Sequence, residues 1–162
     1  MTRQEYENWL RKEDFDLDTA IDDFDGTTAA HIAAIKNDCE VLEYIAQTNP
    51  KLINRTTDSG ITPAQFAAEG EKDEAFDTIM KHTTFEKVWQ KLVIDRGLNL
   101  EDNYRTFGYI LDKTKEYILK EINNPNKKQE LKRIHSIIQI KTSIFDAYER
   151  KYFAKILKKE EY

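Results

Sequence analysis

The sequence predicts an all-α fold, and three observations lead to this prediction. The 162 residues include five Gly and three Pro, too few for the many tight turns of an all-β fold. Apolar residues recur at three- and four-residue spacing in several segments, which is the period of one helix face. Two segments also repeat each other at an offset of 34 residues, which is typical of repeated helical units. We therefore expect helices arranged in repeated pairs.

The composition excludes several classes of protein. Hydrophobic residues make up 40% and charged residues 34% of the chain, the balance of a globular protein rather than a disordered one. The single cysteine, Cys39, excludes an internal disulfide framework and a cysteine-rich zinc site, so a reducing, cytoplasmic setting is expected. No apolar run approaches the roughly 18–20 residues of a membrane-spanning helix. Residues 1–12 lack the apolar stretch of a secretory signal.

Charge is distributed unevenly along the chain. Residues 1–83 carry 8 basic and 18 acidic side chains, a net charge of −10, whereas residues 84–162 carry 17 basic and 12 acidic side chains, a net charge of +5. This asymmetry predicts two domains, 1–83 and 84–162, with different surfaces. The acidic part could steer basic partners toward it, although a solvated face is the commoner meaning of such charge.

The repeat begins at a glycine in each copy. Residues 26–34 read Gly-Thr-Thr-Ala-Ala-His-Ile-Ala-Ala, and residues 60–68 read Gly-Ile-Thr-Pro-Ala-Gln-Phe-Ala-Ala. The paired alanines that end each segment allow neighbouring helices to approach closely. Thr62 is expected to cap a helix that begins at Pro63, where the missing N–H of proline costs nothing. Each copy continues into a second segment with helical apolar spacing.

These segments resemble the ankyrin repeat family, whose pattern is Gly-x-Thr-Pro-Leu-His-x-Ala-Ala, then a helix and a loop that ends in Asn. The first copy has His31 at the histidine position but lacks the Pro and Leu, with Asn54 as the closing Asn. The second copy keeps Pro63 but has Gln65 in place of the histidine. The resemblance covers about residues 14–82 and implies a short ankyrin-type stack of helix pairs joined by finger loops.

Flanking helices are expected to cap this stack, because about three units are normally needed to bury the faces of such repeats. Residues 4–12 are predicted to form the N-terminal cap. Beyond the repeats we expect three helices. The first is capped by Thr84, and its buried residues should be Phe85, Val88, Trp89, Leu92 and Val93. The second covers about 102–122, with an apolar stripe at Phe107, Ile110, Leu111, Thr114, Ile118 and Ile122. The third covers about 126–158, after a break at 123–125 set by Asn-Asn-Pro. The last two should form a helical hairpin against the open end of the stack. The alternative is that the long last helix projects to a partner, and a homodimer through this helix is one form of it.

No catalytic motif is found, and a non-enzymatic protein without a cofactor is expected. The ankyrin resemblance implies that His31 hydrogen-bonds the backbone of the neighbouring loop, and Gln65 could do the same. Cys39 is expected to pack rather than to act as a nucleophile. There is no phosphate-binding glycine loop and no metalloprotease motif.

An enzyme with an unrecognised site in the C-terminal helical half is the alternative. Its chemistry would fall to residues there that can transfer protons. These residues are His135, Glu130 and Tyr148.

Metal and nucleic-acid binding are less well supported. Five aspartates between residues 14 and 25 match ligand positions of an EF-hand calcium loop, but Thr19 stands where the sharp turn needs Gly, and Asp25 stands where the longer Glu belongs. An acidic loop or a partner-facing surface is the preferred interpretation, with no metal. Basic residues in the C-terminal half are interleaved with acids, whereas a nucleic-acid domain has a denser basic patch.

The resemblance implies a protein–protein interaction module, an adaptor or inhibitor that binds another protein through its finger loops and the concave face of its inner helices. The Lys/Ile/Asn-rich helices and charged tail also resemble bacterial effectors, which reach a host cell without a cleavable signal peptide. The family pattern implies partner-facing positions at Phe24, Asp25, Thr27, Ile35, Lys36, Asp58, Ser59, Ile61, Glu69 and Gly70. Phe24 and Ile61 are apolar at positions that are usually exposed, so they either anchor a partner or fold onto the chain's own caps.

Overall fold

The computed structural model describes Gln4, Asn8 and residues 25–95 and 104–140. Helices dominate these residues and no β-strand occurs among them, so the chain is all-α, as predicted. The predicted N-terminal helix lies almost entirely outside the described residues. The chain divides into two compact units, Met1–Thr84 and Phe85–Tyr162.

No helix within the described ranges is long and apolar enough to cross a membrane.

The first unit contains two helical pairs. Helices α1 (Ala29–Ile35) and α2 (Cys39–Thr48) form the first pair, and helices α3 (Pro63–Glu69) and α4 (Asp73–Met80) form the second. A short 3-10 helix, Pro50–Asn54, follows α2. Helix α1 packs on α3, and α2 packs on α4. Each helix of the first pair therefore lies beside the helix that begins 34 residues further along the chain.

The turns inside the two pairs share one backbone geometry. After α1, the N–H of Asp38 donates to the carbonyl of Ala33 at 2.8 Å, and the residues 34 positions later make the same bond at the same distance. The preceding residues, Asn37 and Glu71, both have positive φ, at 57° and 52°. This left-handed conformation is strained for most residues other than glycine. The sequence repeat is thus also a repeat of backbone geometry.

A core between the inner and outer helices holds the first unit together. Its two alanine pairs are almost completely buried, which lets α1 and α3 approach closely. On α2 and α4 the buried residues follow the predicted helical spacing, and each large one contributes roughly 1.5–3 kcal/mol relative to exposure. These core residues are Ala33, Ala34, Ala67, Ala68, Val41, Leu42, Ile45, Phe76 and Ile79.

Helix α3 begins as the sequence predicted. Pro63 is its first residue, and the side-chain oxygen of Thr62 accepts a hydrogen bond from the N–H of Gln65 at 3.2 Å. In return Gln65 Oε1 accepts from the N–H of Thr62 at 3.0 Å. This reciprocal arrangement is a capping box, and it satisfies N–H groups that have no partner inside the helix.

The second unit contains three α-helices within its described residues. These are α5 (Phe85–Trp89), α6 (Tyr104–Glu121) and α7 (Lys128–Ile140). Helix α5 continues as a π-helical segment, Gln90–Asp95, where the sequence predicted an uninterrupted α-helix. Helix α7 packs on α5 and on this π-helical segment.

The break between α6 and α7 lies where the sequence placed it. Asn124 caps a single 3-10 turn, Pro125–Lys127, by accepting a hydrogen bond from the N–H of Asn126 at 3.0 Å. Helix α7 is described only as far as Ile140, so the predicted continuation to residue 158 lies outside the described residues. The predicted packing of these helices on the end of the repeats stays a prediction.

Trp89 forms the centre of the second unit's core. Its side chain is 0% exposed, and its ring lies 6.0 Å from that of Phe107. Its indole N–H donates to Thr114 Oγ1 at 2.9 Å, and the Thr114 hydroxyl donates to the carbonyl of Ile110 at 2.6 Å. The one polar group of the tryptophan is therefore satisfied inside an apolar core.

Candidate functional site

Two loops of the first unit lie side by side and are bonded to each other. Loop 1 (residues 25–28) precedes α1, and loop 2 (residues 55–62) precedes α3. The backbone N–H of Asp58 donates to the carbonyl of Asp25 at 2.8 Å. The hydroxyl of Ser59 donates to Asp25 Oδ1, also at 2.8 Å. The tips of the two loops are therefore held in one arrangement before any ligand binds.

Loop 2 is also closed by bonds within itself. The N–H of Thr57 donates to the carbonyl of Ile61 at 2.9 Å, and the N–H of Ile61 donates to Thr57 Oγ1 at 3.1 Å. The N–H of Gly60 donates to the carbonyl of Thr57 at 2.8 Å, and Gly60 has a φ of 82°. Glycine adopts this φ without strain, which allows the tight turn.

Gly26 permits the close approach of the loops. Its φ is 70°, and a Cβ placed on it would lie 2.8 Å from Asp58 Oδ1. Any side chain at this position would therefore meet both backbone strain and the carboxylate of the neighbouring loop. The repeated glycine of the sequence thus has a direct structural cause in loop 1.

His31 connects the first helical pair to loop 2. It is 0% exposed, and its Nδ1 accepts a hydrogen bond from the N–H of Thr28 at 3.1 Å. Because Nδ1 accepts, the proton of the neutral ring is on Nε2, which lies 2.8 Å from the carbonyl of Ile61 and donates to it. This is the bond to a neighbouring loop that was expected from the sequence. The edge of the ring packs against Phe66, with ring centroids 5.4 Å apart.

Burial holds the His31 ring in its neutral form. The loss of hydration lowers the pKa of His31 from 6.5 to about 4, although the carbonyls of Ile61 and Arg55 and the charge of Asp25 act in the opposite direction. Gln65, at the equivalent position of the second pair, caps its own helix in the same way. In the part of the chain that the structure describes, its side-chain hydrogen bonds are all with Thr62.

Asn37 links the two helical pairs at the opposite end of the inner helices. Its Oδ1 accepts from the N–H of Ala75 at 2.8 Å, and its Nδ2 donates to Glu74 Oε2 at 3.0 Å. Sequence analysis did not single out this residue. The amino-acid type at this position could have indicated a helix-ending turn, because asparagine is enriched in the left-handed conformation that ends a helix.

A further ionic link joins the outer helices. His82 Nε2 lies 2.8 Å from Glu43 Oε2, and Lys81 Nζ lies 3.7 Å from Glu43 Oε1. The hydrogen bond with His82 is the largest cause of the lowered pKa of Glu43. The pair is partly exposed, so its contribution to stability is small.

The predicted partner-facing residues differ in exposure. Ile35 is 43% exposed, which is high for a large hydrophobic residue, and it ends helix α1. Thr27 is only 8% exposed, so it presents little surface to a partner, and Phe24 lies outside the described residues. Asp25 and Ile61 are partly exposed. The exposed members of the set are Ile35, Lys36, Asp58, Ser59, Glu69 and Gly70.

The accessible surface of the inner helices is concentrated at their carboxyl ends. Residues 29–34 of α1 are all buried, so Ile35 is the one residue of this helix that is exposed. Glu69 occupies the equivalent position of α3 and is also exposed. Because α1 and α3 pack side by side, these two residues end neighbouring helices. We call the exposed residues Ile35, Lys36, Asp58, Ser59 and Glu69 the loop–helix surface.

Two residues of the enzyme alternative, Glu130 and His135, lie on α7 within the described residues. Glu130 accepts a hydrogen bond from the Tyr117 hydroxyl at 3.0 Å and lies 3.5 Å from Lys127 Nζ. Burial lowers the pKa of His135, and its buried Nε2 has no hydrogen-bond partner among the described residues. Tyr148 lies outside the described residues.

The aspartates of the calcium interpretation lie largely outside the described residues. Of the five, Asp25 is the one that the structure describes. Residues 25–95 and 104–140 contain no group of three or more His, Cys, Asp or Glu side chains placed to hold a metal ion. Cys39 is partly buried, and its Sγ lies 4.0 Å from the carbonyl of Asn37.

No family model, curated protein or solved structure matches this chain.

Proposed function

We propose that this chain is a protein–protein interaction module whose first unit is a short ankyrin-type stack. It would act as an adaptor or inhibitor by occupying a surface of its partner. The observation that carries the proposal is the bonding of the two loops to each other and to α1. Asp58 and Ser59 bond to Asp25, and His31 bonds to Ile61, while the side chains of Asp58 and Ser59 remain exposed.

Such an arrangement favours binding because the loops are already ordered. A partner that docks on flexible loops must offset the entropy lost when they become fixed. Here the backbone of loop 2 is held by its own turn and by contacts with loop 1 and α1. The recurrence of one backbone geometry at a spacing of 34 residues supports the ankyrin interpretation of these pairs.

The proposed contact surface is the loop–helix surface. Ile35 would supply the apolar anchor, because a large exposed side chain at the end of a helix can enter a pocket of a partner. Exposed polar residues would form the surrounding rim, as in other protein interfaces. Ile35 and Glu69 end the neighbouring helices α1 and α3, and loop 2 contributes Asp58 and Ser59.

We propose a cytoplasmic setting, in the producing cell or, for an effector, in a host cell. The single partly buried Cys39 supports a reducing environment. The composition of the C-terminal helices supports the effector interpretation. A homodimer through the last helix is a separate proposal, and most of that helix's predicted length lies beyond Ile140.

Affinity capture from a native lysate tests this function. The wild-type chain would be compared with an Ile35→Asp/Asp58→Lys variant and with a Leu119→Asp control. Leu119 is 54% exposed in the second unit, so its substitution matches the loss of an exposed aliphatic side chain. A protein retained by wild type and control but not by the double variant would support the loop–helix surface. Equal retention by all three would contradict it.

The same variants need a folding control. Ile35 and Asp58 are both exposed, so the double substitution should leave the helical circular-dichroism spectrum unchanged. Loss of capture by Leu119→Asp alone would place the binding site in the second unit instead.

A further inference from the structure

Gln65 repeats the position of His31, 34 residues further along the chain. Each side chain caps its own helix by accepting a hydrogen bond from a threonine N–H, that of Thr28 at 3.1 Å and that of Thr62 at 3.0 Å. The second nitrogen distinguishes the two side chains. His31 Nε2 donates to the carbonyl of Ile61, whereas Gln65 Nε2 donates to no group within the described ranges.

The side chain of Gln65 is nearly buried, yet its amide nitrogen remains open to solvent. The residue is 4% exposed, and a buried N–H without a partner costs free energy. One side-chain nitrogen among the described residues is both completely buried and without a partner, and it belongs to His135. Gln65 Nε2 therefore retains a little accessible surface, through which an acceptor can reach it.

Loop 2 shows how a backbone segment satisfies a donor at this position of the repeat. The N–H of Asp58 donates to the carbonyl of Asp25 at 2.8 Å, and the carbonyl of Ile61 accepts from His31 Nε2, also at 2.8 Å. A backbone donor and a backbone acceptor three residues apart thus hold loop 2 on loop 1 and α1.

The equivalent two groups recur in the second helical pair without a partner. Ser59 is the equivalent of Asp25, and each precedes a glycine of positive φ, 82° for Gly60 and 70° for Gly26. The side chain of Ser59 is exposed, and its carbonyl accepts no hydrogen bond in the part of the chain that the structure describes. We call the carbonyl of Ser59 and Gln65 Nε2 the open edge of loop 2.

We propose that this open edge binds an extended backbone segment of the partner protein, in the way that loop 1 and α1 bind loop 2. A carbonyl of that segment accepts from Gln65 Nε2, and an N–H of the segment donates to the carbonyl of Ser59. The inference rests on the proposed function, because it names the part of the partner that the interaction module recognises. Ser59 also belongs to the loop–helix surface, so the open edge continues that surface.

The chemistry of the edge selects a loop or an extended strand rather than a helix. Inside a helix the N–H groups and carbonyls are already paired with one another. In loop 2 the donor and the acceptor belong to Asp58 and Ile61, so the partner's two groups should have the same spacing of three residues. Both groups belong to the backbone, which every residue type except proline supplies in full.

Two substitutions at position 65 separate the amide donor from the helix cap. Gln65→Glu keeps a side-chain oxygen for the N–H of Thr62, as in the common Thr-x-x-Glu capping box, but its carboxylate has no N–H to donate. Gln65→His reproduces the arrangement of His31, in which Nδ1 caps the helix and Nε2 donates. Both variants therefore keep the cap, and the histidine variant alone keeps the donor.

Titration calorimetry at pH 8 measures the dissociation constant of each chain for the protein that the wild-type chain retains in affinity capture. We expect Gln65→Glu to bind about tenfold more weakly than wild type and Gln65→His to bind about as tightly as wild type. Wild-type affinity in Gln65→Glu, or an equal loss in both variants, would overturn the inference and leave the proposed function standing. Capture of no protein at all would overturn the proposed function and this inference with it.

Alanine substitutions in the retained protein test whether its backbone supplies the acceptor. Because a backbone carbonyl survives these substitutions, Gln65→Glu should bind about tenfold more weakly than wild type to each alanine variant. A single alanine variant that binds both chains equally would reveal a side-chain acceptor and would overturn the assignment to the backbone.

A partner-free measurement covers the case in which the variants do not fold. Nuclear magnetic resonance measures the exchange of side-chain amide protons with water in the free wild-type chain. The Gln65 protons should exchange at least about tenfold faster than the Asn37 proton that is bonded to Glu74. Exchange as slow as that of Asn37 would show that the Gln65 amide is already bonded within the chain, and this result would overturn the proposal.

Discussion

The side chain of Asn37 in the first helical pair accepts a hydrogen bond from the backbone N–H of Ala75 in the second, at 2.8 Å. It also donates to Glu74 at 3.0 Å and so holds the first turn of α4. The residue has a φ of 57°, which directs the chain from α1 into α2. One asparagine thus ends a helix and joins two repeated units, whereas His31 and loop 2 join them at the opposite ends of the inner helices.

Replacing Asn37 should separate these two roles. Asn37→Ala removes both hydrogen bonds. It also places alanine, which tolerates the left-handed conformation less well than asparagine, at this turn. We therefore expect a loss of about 2–3 kcal/mol in the free energy of unfolding. Asn37→Gly loses the bonds without the backbone strain and should cost about 1 kcal/mol less than Asn37→Ala. Urea denaturation measures both values. A gain in Asn37→Gly as large as that expected for relief of strain alone would show that the side-chain bonds contribute nothing.

Glu71 occupies the equivalent turn of the second helical pair, but its side chain does not join the two pairs. Its φ is 52°, its side chain is exposed, and no side-chain hydrogen bond or ion pair involves it in the described ranges. Glu71→Gly should therefore relieve strain and raise the free energy of unfolding by about 0.5–1 kcal/mol. The same urea experiment tests this expectation. A loss as large as that of Asn37→Gly would mean that the Glu71 side chain stabilises the fold.

Thr114 should be sensitive to loss of its hydroxyl. Thr114→Val keeps the shape but removes the hydroxyl that accepts from the buried indole N–H of Trp89, which should cost about 1–3 kcal/mol. Thr114→Ser keeps the acceptor and loses one buried methyl group, which should cost about 1 kcal/mol. Thermal denaturation should therefore place the valine variant below the serine variant. The reverse order would contradict the assigned role of the hydroxyl.

Gly26 should be intolerant of any side chain. Gly26→Ala introduces backbone strain and a contact of 2.8 Å with the Asp58 carboxylate, so we expect a loss of about 2 kcal/mol. Adding Asp58→Ala removes the contact but not the strain. The double variant should therefore recover part of the loss, a coupling that a double-mutant cycle measures. Strict additivity would show that the exposed Asp58 carboxylate moves aside without cost.

The helical fold was predictable because its signals are local. Pro63 and Thr62 predicted the start of α3, and the structure confirms the cap. Asn124 and Pro125 predicted the break before α7 for the same reason, since turn and cap residues act through their own backbone. The apolar stripe of α6 was confirmed at residues 107–118.

The π-helical segment after Trp89 could not be predicted in this way. A π-helical turn pairs residues five apart, and nothing in the apolar spacing distinguishes it from an α-helix over so short a stretch. Leu92 is still completely buried within it. The burial of Leu92 was therefore predicted correctly, although the segment is π-helical and not α-helical.

The loop–helix surface was only partly predictable. Position in the repeat selected Ile35 and Thr27 alike, yet Ile35 is exposed and Thr27 is buried. For Ile61 the sequence left two alternatives, a partner anchor or a residue folded onto the chain's own caps. Its side chain is partly exposed, and its backbone is held within loop 2 and against His31. Long-range bonds of this kind leave no periodic pattern in the sequence.

The most direct test of the central claim is the dissociation constant between this chain and a partner isolated by capture. Titration calorimetry would compare the wild-type chain with Ile35→Asp and with the Leu119→Asp control. We expect Ile35→Asp to weaken binding at least about tenfold, the effect of losing roughly 1.4 kcal/mol at an apolar anchor, and Leu119→Asp to leave it unchanged. Equal affinity for wild type and Ile35→Asp would contradict the assignment of binding to the loop–helix surface.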